Sequence, residues 1–339
     1  MNFKSLDDMP RLLLEADLRP VAGQRFQPTG FADLGAAEYR LPDGKTSMLL
    51  VESAQSVANR LERTCLNGDG PDLDPALAGL SYVMADLEGA GIEKTTSSLV
   101  EAHRIASPYI LLNKDFQATL VKEMGYNSKL PLEWKKIYAT LFKYDVNSLV
   151  HGVFLSLLEG GRVRAPRAIT GFIEASNVVR VLSGGVKNSP VDPTGKTQVA
   201  DPPPGTSGEG GVYSNVPYSR VEYVAGEIKA YFNLDLALIR GYRLGDDATR
   251  LLISLSLLKV RRFLDSSLRL RTACDFEMVG EARAKAPVEF VLPAEVELLA
   301  EVQSGIKACA ALFATPPVTI LKTKVKVVDK KEKAAGVPA

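Results

Sequence analysis

Histidine and cysteine are scarce in this chain. Two histidines, His103 and His151, serve 339 residues, beside three cysteines, Cys65, Cys274 and Cys309. The cysteines are odd in number, far apart and not spaced as metal ligands. That argues against a disulfide framework and for reduced thiols in a cytoplasmic protein. Both histidines lie in apolar contexts, "EAHRIASPY" and "SLVHGVFL". A core or edge histidine fits such contexts better than a general base, which needs a nucleophile and an orienting partner. Charge imbalance is missing too: 41 Lys and Arg face 40 Asp and Glu, so bulk charge announces no nucleic acid. There is no signal-peptide pattern and no apolar run long enough to span a bilayer, so a cytoplasmic location and no membrane partner are expected.

Catalytic and cofactor motifs are equally thin. No GxSxG or HExxH occurs. "GKT" appears at Gly44 and Gly195, but the glycine a P-loop needs five residues earlier is Tyr39 or Pro190. The loop with Asp69, Asp72 and Asp74 has Leu80 where a calcium loop needs its twelfth-position glutamate. No metal, cofactor or catalytic residue is called for, and the chain is not expected to be an enzyme.

What is present is patterned. Arg11–Val21 alternates, with Leu12, Leu14, Ala16 and Leu18 on one side, and reads as a first strand. Met48–Leu66 reads as a helix with Val51, Ala54, Val57, Ala58, Leu61 and Cys65 in one stripe. A helix is expected over Leu132–Tyr144, and residues 150–182 read as two strands flanking a basic loop, "EGGRVRAPR". "EIKAYFNLDLAL" alternates from Ile228 to Leu238, and "LRLRTACDFEM" from Leu268 to Met278, with a helix from Asp246 to about Ser266 between them. A last strand begins at Val318, with Lys322, Lys324 and Lys326 alternating along it. Strand, helix and strand recur at both ends, so the fold class is α+β with a largely antiparallel sheet. Residues 183–219 are dominated by Gly, Pro, Ser, Thr, Asn and Asp. That is too long for an ordinary connection and implies a functional or disordered segment.

The surviving chemistry is of the binding kind. The helix after the first strand carries Gln55, Ser56, Asn59 and Arg60 on or beside its polar face. "RFQPTGF" offers Arg25 and Gln27 as donors, with Phe26 and Phe31 as packing anchors, although Phe-Pro-Gly clusters also make rigid loops on their own. Guanidiniums and side-chain amides suit phosphate and sugar contacts. Bases also cluster locally: Arg240–Arg271 holds eight bases and three acids, while Glu62–Glu101 holds eight acids and two bases.

Five blocks in order, "LLLEADLRPVAGQRFQPTGFADLGAAEY", "LLVESAQSVANRLE", "EAHRIASPYI", "NVPYSRVEYVAGEIKAYFNLDLALIRGY" and "LRLRTACDFE", span Leu12 to Glu277. Together they resemble the backbone subunit of the type I-G (formerly I-U) CRISPR effector complex, in the repeat-associated mysterious protein (RAMP) superfamily. The resemblance implies an RRM-like, ferredoxin-like antiparallel-sheet palm with a helical insertion and a protruding thumb hairpin. The implied division is 1–66, palm; 67–145, helical insertion; 146–182, palm strands with the basic loop; 183–219, thumb; 220–327, palm; 328–339, disordered tail.

The implied function is a non-catalytic scaffold that multimerises along crRNA and presents it for pairing to DNA. The implied partners are crRNA, further copies in a head-to-tail filament, target DNA, and the large and guide-processing or capping subunits. Relatives carry a Ser-x-Gln-Ser-x-x-x-Arg-like pattern against RNA backbone, met here by Ser53, Gln55, Ser56 and Arg60. Asn59 stands where relatives often have a second base, which puts that phosphate contact in doubt. The expected RNA-contacting set is Arg19, Arg25, Gln27, Ser53, Gln55, Ser56, Asn59, Arg60, Arg164, Arg167, Lys187, Arg269 and Arg271. The strands lack the aromatic RNP signature, so no base stacking on the open sheet is expected. A guide carrier should grip phosphate and 2′-OH and leave base edges free. The rival readings are a RAMP-type endoribonuclease acting on crRNA or target RNA, and an α+β small-molecule enzyme.

Overall fold

The computed structural model describes residues 3–31, 33–89, 92–191, 193–194 and 215–326. Strand β1 (Arg11–Pro20) buries Leu12, Leu14, Ala16 and Leu18 and leaves the residues between them partly exposed. After it come β2 (Gly30–Phe31), β3 (Gly35–Arg40), β4 (Ser47–Glu52) and α1 (Ala54–Arg63). The expected helix over Met48–Leu66 is thus corrected, because its first part is a strand. Leu49 and Val51 are fully buried as β4 pairs with β3 and with β9 (Ile169–Ser176). Ser53 has extended backbone and accepts the Ser56 amide, capping the helix. Val51 ends the strand's inward row where Val57 begins the helix's, so one apolar spacing ran across two elements.

Residues 64–168 carry β5 (Tyr82–Gly89), β6 (Ile92–Ser97), α2 (Pro108–Leu111), α3 (Lys114–Glu123), α4 (Trp134–Tyr144) and α5 (Val146–His151). They end in a two-residue pair, β7 (Val153–Phe154) and β8 (Arg164–Ala165), that closes the basic loop. The apolar stretch 150–182 therefore holds more strands than the expected two. Beyond β9 come β10 (Val179–Lys187), β11 (Val216–Val224) and β12 (Glu227–Asp235). Next are α6 (Leu236–Gly241), α7 (Asp246–Asp265), β13 (Arg269–Arg271), β14 (Cys274–Met278), β15 (Arg283–Ala286), α8 (Glu295–Ala308) and β16 (Val318–Lys324).

Two strands are shorter than their alternation suggested. Asp235 accepts the Leu238 amide at 2.8 Å and starts α6, so Leu236 and Leu238 belong to a helix. The run Leu268–Met278 is a hairpin, reversing at Ala273, whose φ is +58°.

The main sheet contains the order β14–β1–β12–β9, every pairing antiparallel, with β4 and β3 extending it past β9. Helix α1 precedes β9, and α7 lies between β12 and β14. This is the βαββαβ topology of ferredoxin-like folds. The helices cover one sheet face: Phe263 of α7 meets Phe232 of β12 edge-on at 6.1 Å. At β9, a Cβ on Gly171 would lie 2.7 Å from the Phe232 ring, so only glycine fits beneath it.

The open face carries Phe172 stacked on Tyr231 at 5.1 Å, amid Glu15, Asp17 and Glu174. A second sheet, β16–β5–β6, has β16 as its edge, parallel to β5. Strands β10 and β11 form a ribbon inserted between β9 and β12, rooted a few residues outside 183–219. Residues 195–214 of the expected thumb, and the expected tail 328–339, lie outside the described residues. No helix is long and apolar enough to cross a membrane among the described residues.

Candidate nucleic-acid interface

The sequence makes Glu52 the last residue of β4, and the sheet register buries it completely. An isolated buried carboxylate is costly, so its partners are decisive. The Ser56 hydroxyl and the Arg60 Nε (3.0 Å) both donate to Oε1, and Arg271 donates to Oε2. Arg60 also reaches the carbonyls of Arg269 (3.4 Å) and Leu270. Two guanidiniums thus share one carboxylate, and Arg271 keeps Nη1 without a partner among the described residues.

On one side of α1 lies a groove of about 1000 Å³, lined among others by Gln55, Asn59, Arg63, Arg104, Arg164 and Arg167. Gln55 donates to Asn59 at 2.8 Å and accepts from Arg167 at 2.8 Å. Arg167 also donates to the carbonyls of Ala54 (3.1 Å) and His151 (3.2 Å). The close passage of its backbone depends on Gly152, whose φ is +77°; a Cβ there would fall 2.9 Å from the Arg167 backbone nitrogen. Burial, and then the neighbouring Arg104, lower the Arg167 pKa. Arg104 itself donates from Nε and Nη2 to Glu62, at 2.5 and 3.1 Å, and from Nη1 to the Gly152 carbonyl at 2.9 Å. Arg164 stands 4.4 Å over the Phe154 ring.

On the ribbon side lies a second groove of about 770 Å³, lined among others by Gln27, Thr29, Arg180, Tyr218, Arg220 and Arg271. Glu38 ties its wall together by accepting from Arg180 (2.6 Å) and from the Tyr223 hydroxyl. Burial opposes the Glu38 charge, but the Tyr223 and Arg180 hydrogen bonds outweigh it and hold the carboxyl below its usual range. Burial and the Glu38 bond push Tyr223 up to about 12. The "RFQPTGF" loop is fastened here. Phe26 is buried and meets Phe276 edge-on at 5.4 Å, while its backbone bridges to Tyr223. Of the two expected packing anchors, Phe31's side chain lies outside the described residues.

The structure therefore gathers Gln55, Asn59, Arg164 and Arg167 in one groove and Gln27 and Arg271 in the other. Ser53 and Ser56 are occupied by the helix cap and by Glu52. Arg25 shares the buried Glu222 with Arg220, at 3.4 and 3.9 Å. Three expected residues stand apart: Arg19 pairs with Glu277 at 2.6 Å, Arg269 with Asp275 at 3.7 Å, and Lys187 ends the ribbon strand β10. Sequence reasoning missed Arg180, Arg220 and Tyr218, which the ribbon register brings beside "QPTG". It also missed Lys259 and Arg104, although a lone lysine in "LLISLSLLKV" was a visible cue. His103 is exposed and His151 buried.

Residues 12–180 match the model of a family described as CRISPR-associated protein GSU0053. The matched segment is 169 of the 339 residues. Across its length the chain is similar to a solved structure described as a CRISPR RNA-guided surveillance complex, pre-nicking, with 12% identity, 89% of each chain covered and a TM-score of 0.38. It is also similar to Thermofilum pendens Csc2, with 9% identity, 91% of this chain and 79% of that one covered, and a TM-score of 0.31. No curated protein matches.

Proposed function

We propose that this chain is a non-catalytic crRNA-binding backbone subunit of a CRISPR type I effector complex, of the I-G kind. Copies of it multimerise head to tail along the guide and present it for pairing to target DNA, beside the large and guide-capping subunits. The observation that carries this reading is a pair of grooves, one along α1 and one beside the ribbon, each lined by arginines and side-chain amides or hydroxyls. Such groups grip phosphate and 2′-OH without reading bases. The open sheet face, where an RRM stacks bases, carries Phe172 and Tyr231 among Glu15, Glu174, Lys229 and Asp17, the last paired with Arg283 at 2.6 Å.

The test is expression with a CRISPR array followed by purification and sizing of bound nucleic acid. RNA of crRNA length is expected, and it stays intact with Mg²⁺ and pure protein. Protein that purifies free of RNA and binds none added later ends the scaffold reading. Cleavage abolished by replacing His103 or His151 would establish the endoribonuclease instead.

A further inference from the structure

Two surfaces carry bare apolar side chains and opposite charge, and neither lines the grooves described above. The first is on the helical insertion. Trp134, the chain's single tryptophan, opens α4 and is 38% exposed, shortly after the exposed Leu130. Its ring stacks on Tyr138 at 5.4 Å, and Tyr138 packs on the buried Tyr242 at 4.5 Å, so the indole is already held in place. The same stretch carries Lys129, Lys135 and Lys136, and Arg162 donates to the Leu130 carbonyl at 2.7 Å. Glu133 is taken by Lys136 at 2.8 Å, and Glu159 comes close where its carbonyl accepts the Tyr126 hydroxyl. Lys129, Lys135 and Arg162 have no carboxylate partner among the described residues, so this surface is basic.

The second surface lies around the entry to α8. Val288, Val291 and Val296 are 78%, 80% and 73% exposed, while Phe290 and Leu292 between them are buried. The turn is fixed, because the Phe290 amide donates to the Pro287 carbonyl at 3.2 Å and Val291 bridges to Arg283. Its free charge is negative. Glu289 has no cation partner among the described residues, Glu297 accepts the Ala294 amide at 3.2 Å, and Glu295 shares Arg262 with Asp74. The base nearby is Lys285, on β15. Grouped exposed apolar side chains with a tryptophan among them mark protein contacts more than ordinary surface.

We infer that these surfaces are the two halves of one contact between copies of this chain. Trp134 and Leu130 of one copy seat on Val288, Val291 and Val296 of the next, with Lys135 set against Glu289. Opposite sign and shared apolar character make each surface the complement of the other. Because the halves differ, the contact is heterologous and passes from copy to copy instead of closing as a symmetric pair. This rests on the multimer reading and names the surfaces that would build it.

The test uses the full chain, in which Trp134 is the sole indole, so its fluorescence reports the contact directly. The emission is expected to shift to the blue as protein concentration rises, in step with the mass seen by sedimentation, and to do so again on crRNA. Lys135→Glu and Glu289→Lys each replace an attraction with a repulsion and should weaken association about tenfold. Both residues are exposed, so melting should stay as in wild type. Mixing the two variants should restore assembly, because the reversed site of one then meets the reversed site of the other. Val291→Ser should weaken association without changing its salt dependence. A chain that stays monomeric both free and on crRNA overturns the contact. So does an indole whose emission stays fixed while the mass grows, or a mixture that assembles no better than its parts. A blue shift that needs a different protein assigns the tryptophan surface to that protein and overturns it too. If free protein associates as described but binds no RNA, the contact stands and the guide-carrier reading falls. If copies line up on crRNA with the indole unmoved, the guide-carrier reading stands and this contact falls.

Discussion

Replacing Glu52 with Gln keeps the shape of the side chain and removes the charge that Arg60 and Arg271 share. Glu52 is 0% exposed, and the two guanidiniums are 24% and 27% exposed. Breaking a fully buried pair costs about 3–5 kcal/mol, but guanidiniums that can turn toward water recover part of it, so the loss here is about 2 kcal/mol. In a chain of this size that lowers the melting temperature by about 3 °C. The effect on RNA runs the other way. One positive charge previously cancelled by Glu52 becomes available on Arg271, which lines the ribbon-side groove, so the salt slope of binding steepens by about 0.7. Denaturant melts give the first number, and anisotropy of a labelled RNA across several salt concentrations gives the second. A protein that melts like wild type and keeps the same slope would mean that Glu52 neither restrains nor neutralises the two arginines. A double cycle with Arg60→Met would then show no coupling.

Alanine at Arg25, Arg164 or Arg271 should weaken unrelated guides equally and lower the salt slope by about 0.7 per lost contact; a loss confined to one guide sequence means base readout. Replacing residues 187–214 with a short Gly/Ser linker should leave melting near normal, since loop length adds little closure cost. It should abolish ordered multimers on crRNA in mass photometry, and undiminished assembly would make that segment a tolerated insertion. Asp145→Asn should stabilise the protein near neutral pH. Burial pushes the Asp145 carboxyl up from 3.8 to about 6, so the folded state holds a proton the unfolded state has lost, and stability falls as pH rises through that window. The variant should gain about 3 kcal/mol over wild type between pH 4 and 7. His151 titrates with the opposite sign in both proteins and cancels in the difference; a pH-independent difference would refute the assignment.

Period-two alternation made β1 and β12 legible, and the long helix α7 was readable from its leucine stripe. The α+β antiparallel class followed from those elements. Strand β4 was not legible, because Val51 and Val57 keep helical spacing across the Ser53 cap. The hairpin at Ala273 hid because both its arms alternate in step with an unbroken strand. For the grooves, the residue types were readable but their partners were not. Nothing local tells that Arg60 and Arg271, far apart in sequence, converge on Glu52, or that Arg180 meets Glu38 across the ribbon root. Those pairings are set by sheet register, which is a property of the assembled chain.

Strand order also sets when the molecule can exist. In the main sheet β12 lies between β1 and β9, so those two earlier strands are not joined until residues 227–235 have emerged. The smaller sheet likewise gains its parallel edge only from β16, at Val318–Lys324. Pairings this distant in sequence are slow to form. Both sheets are therefore completed by the last third of the chain, and the ribbon-side groove, whose lining includes Arg271, is unfinished until then. On the guide-carrier reading proposed above, that groove would meet RNA only on a chain already folded past Arg271.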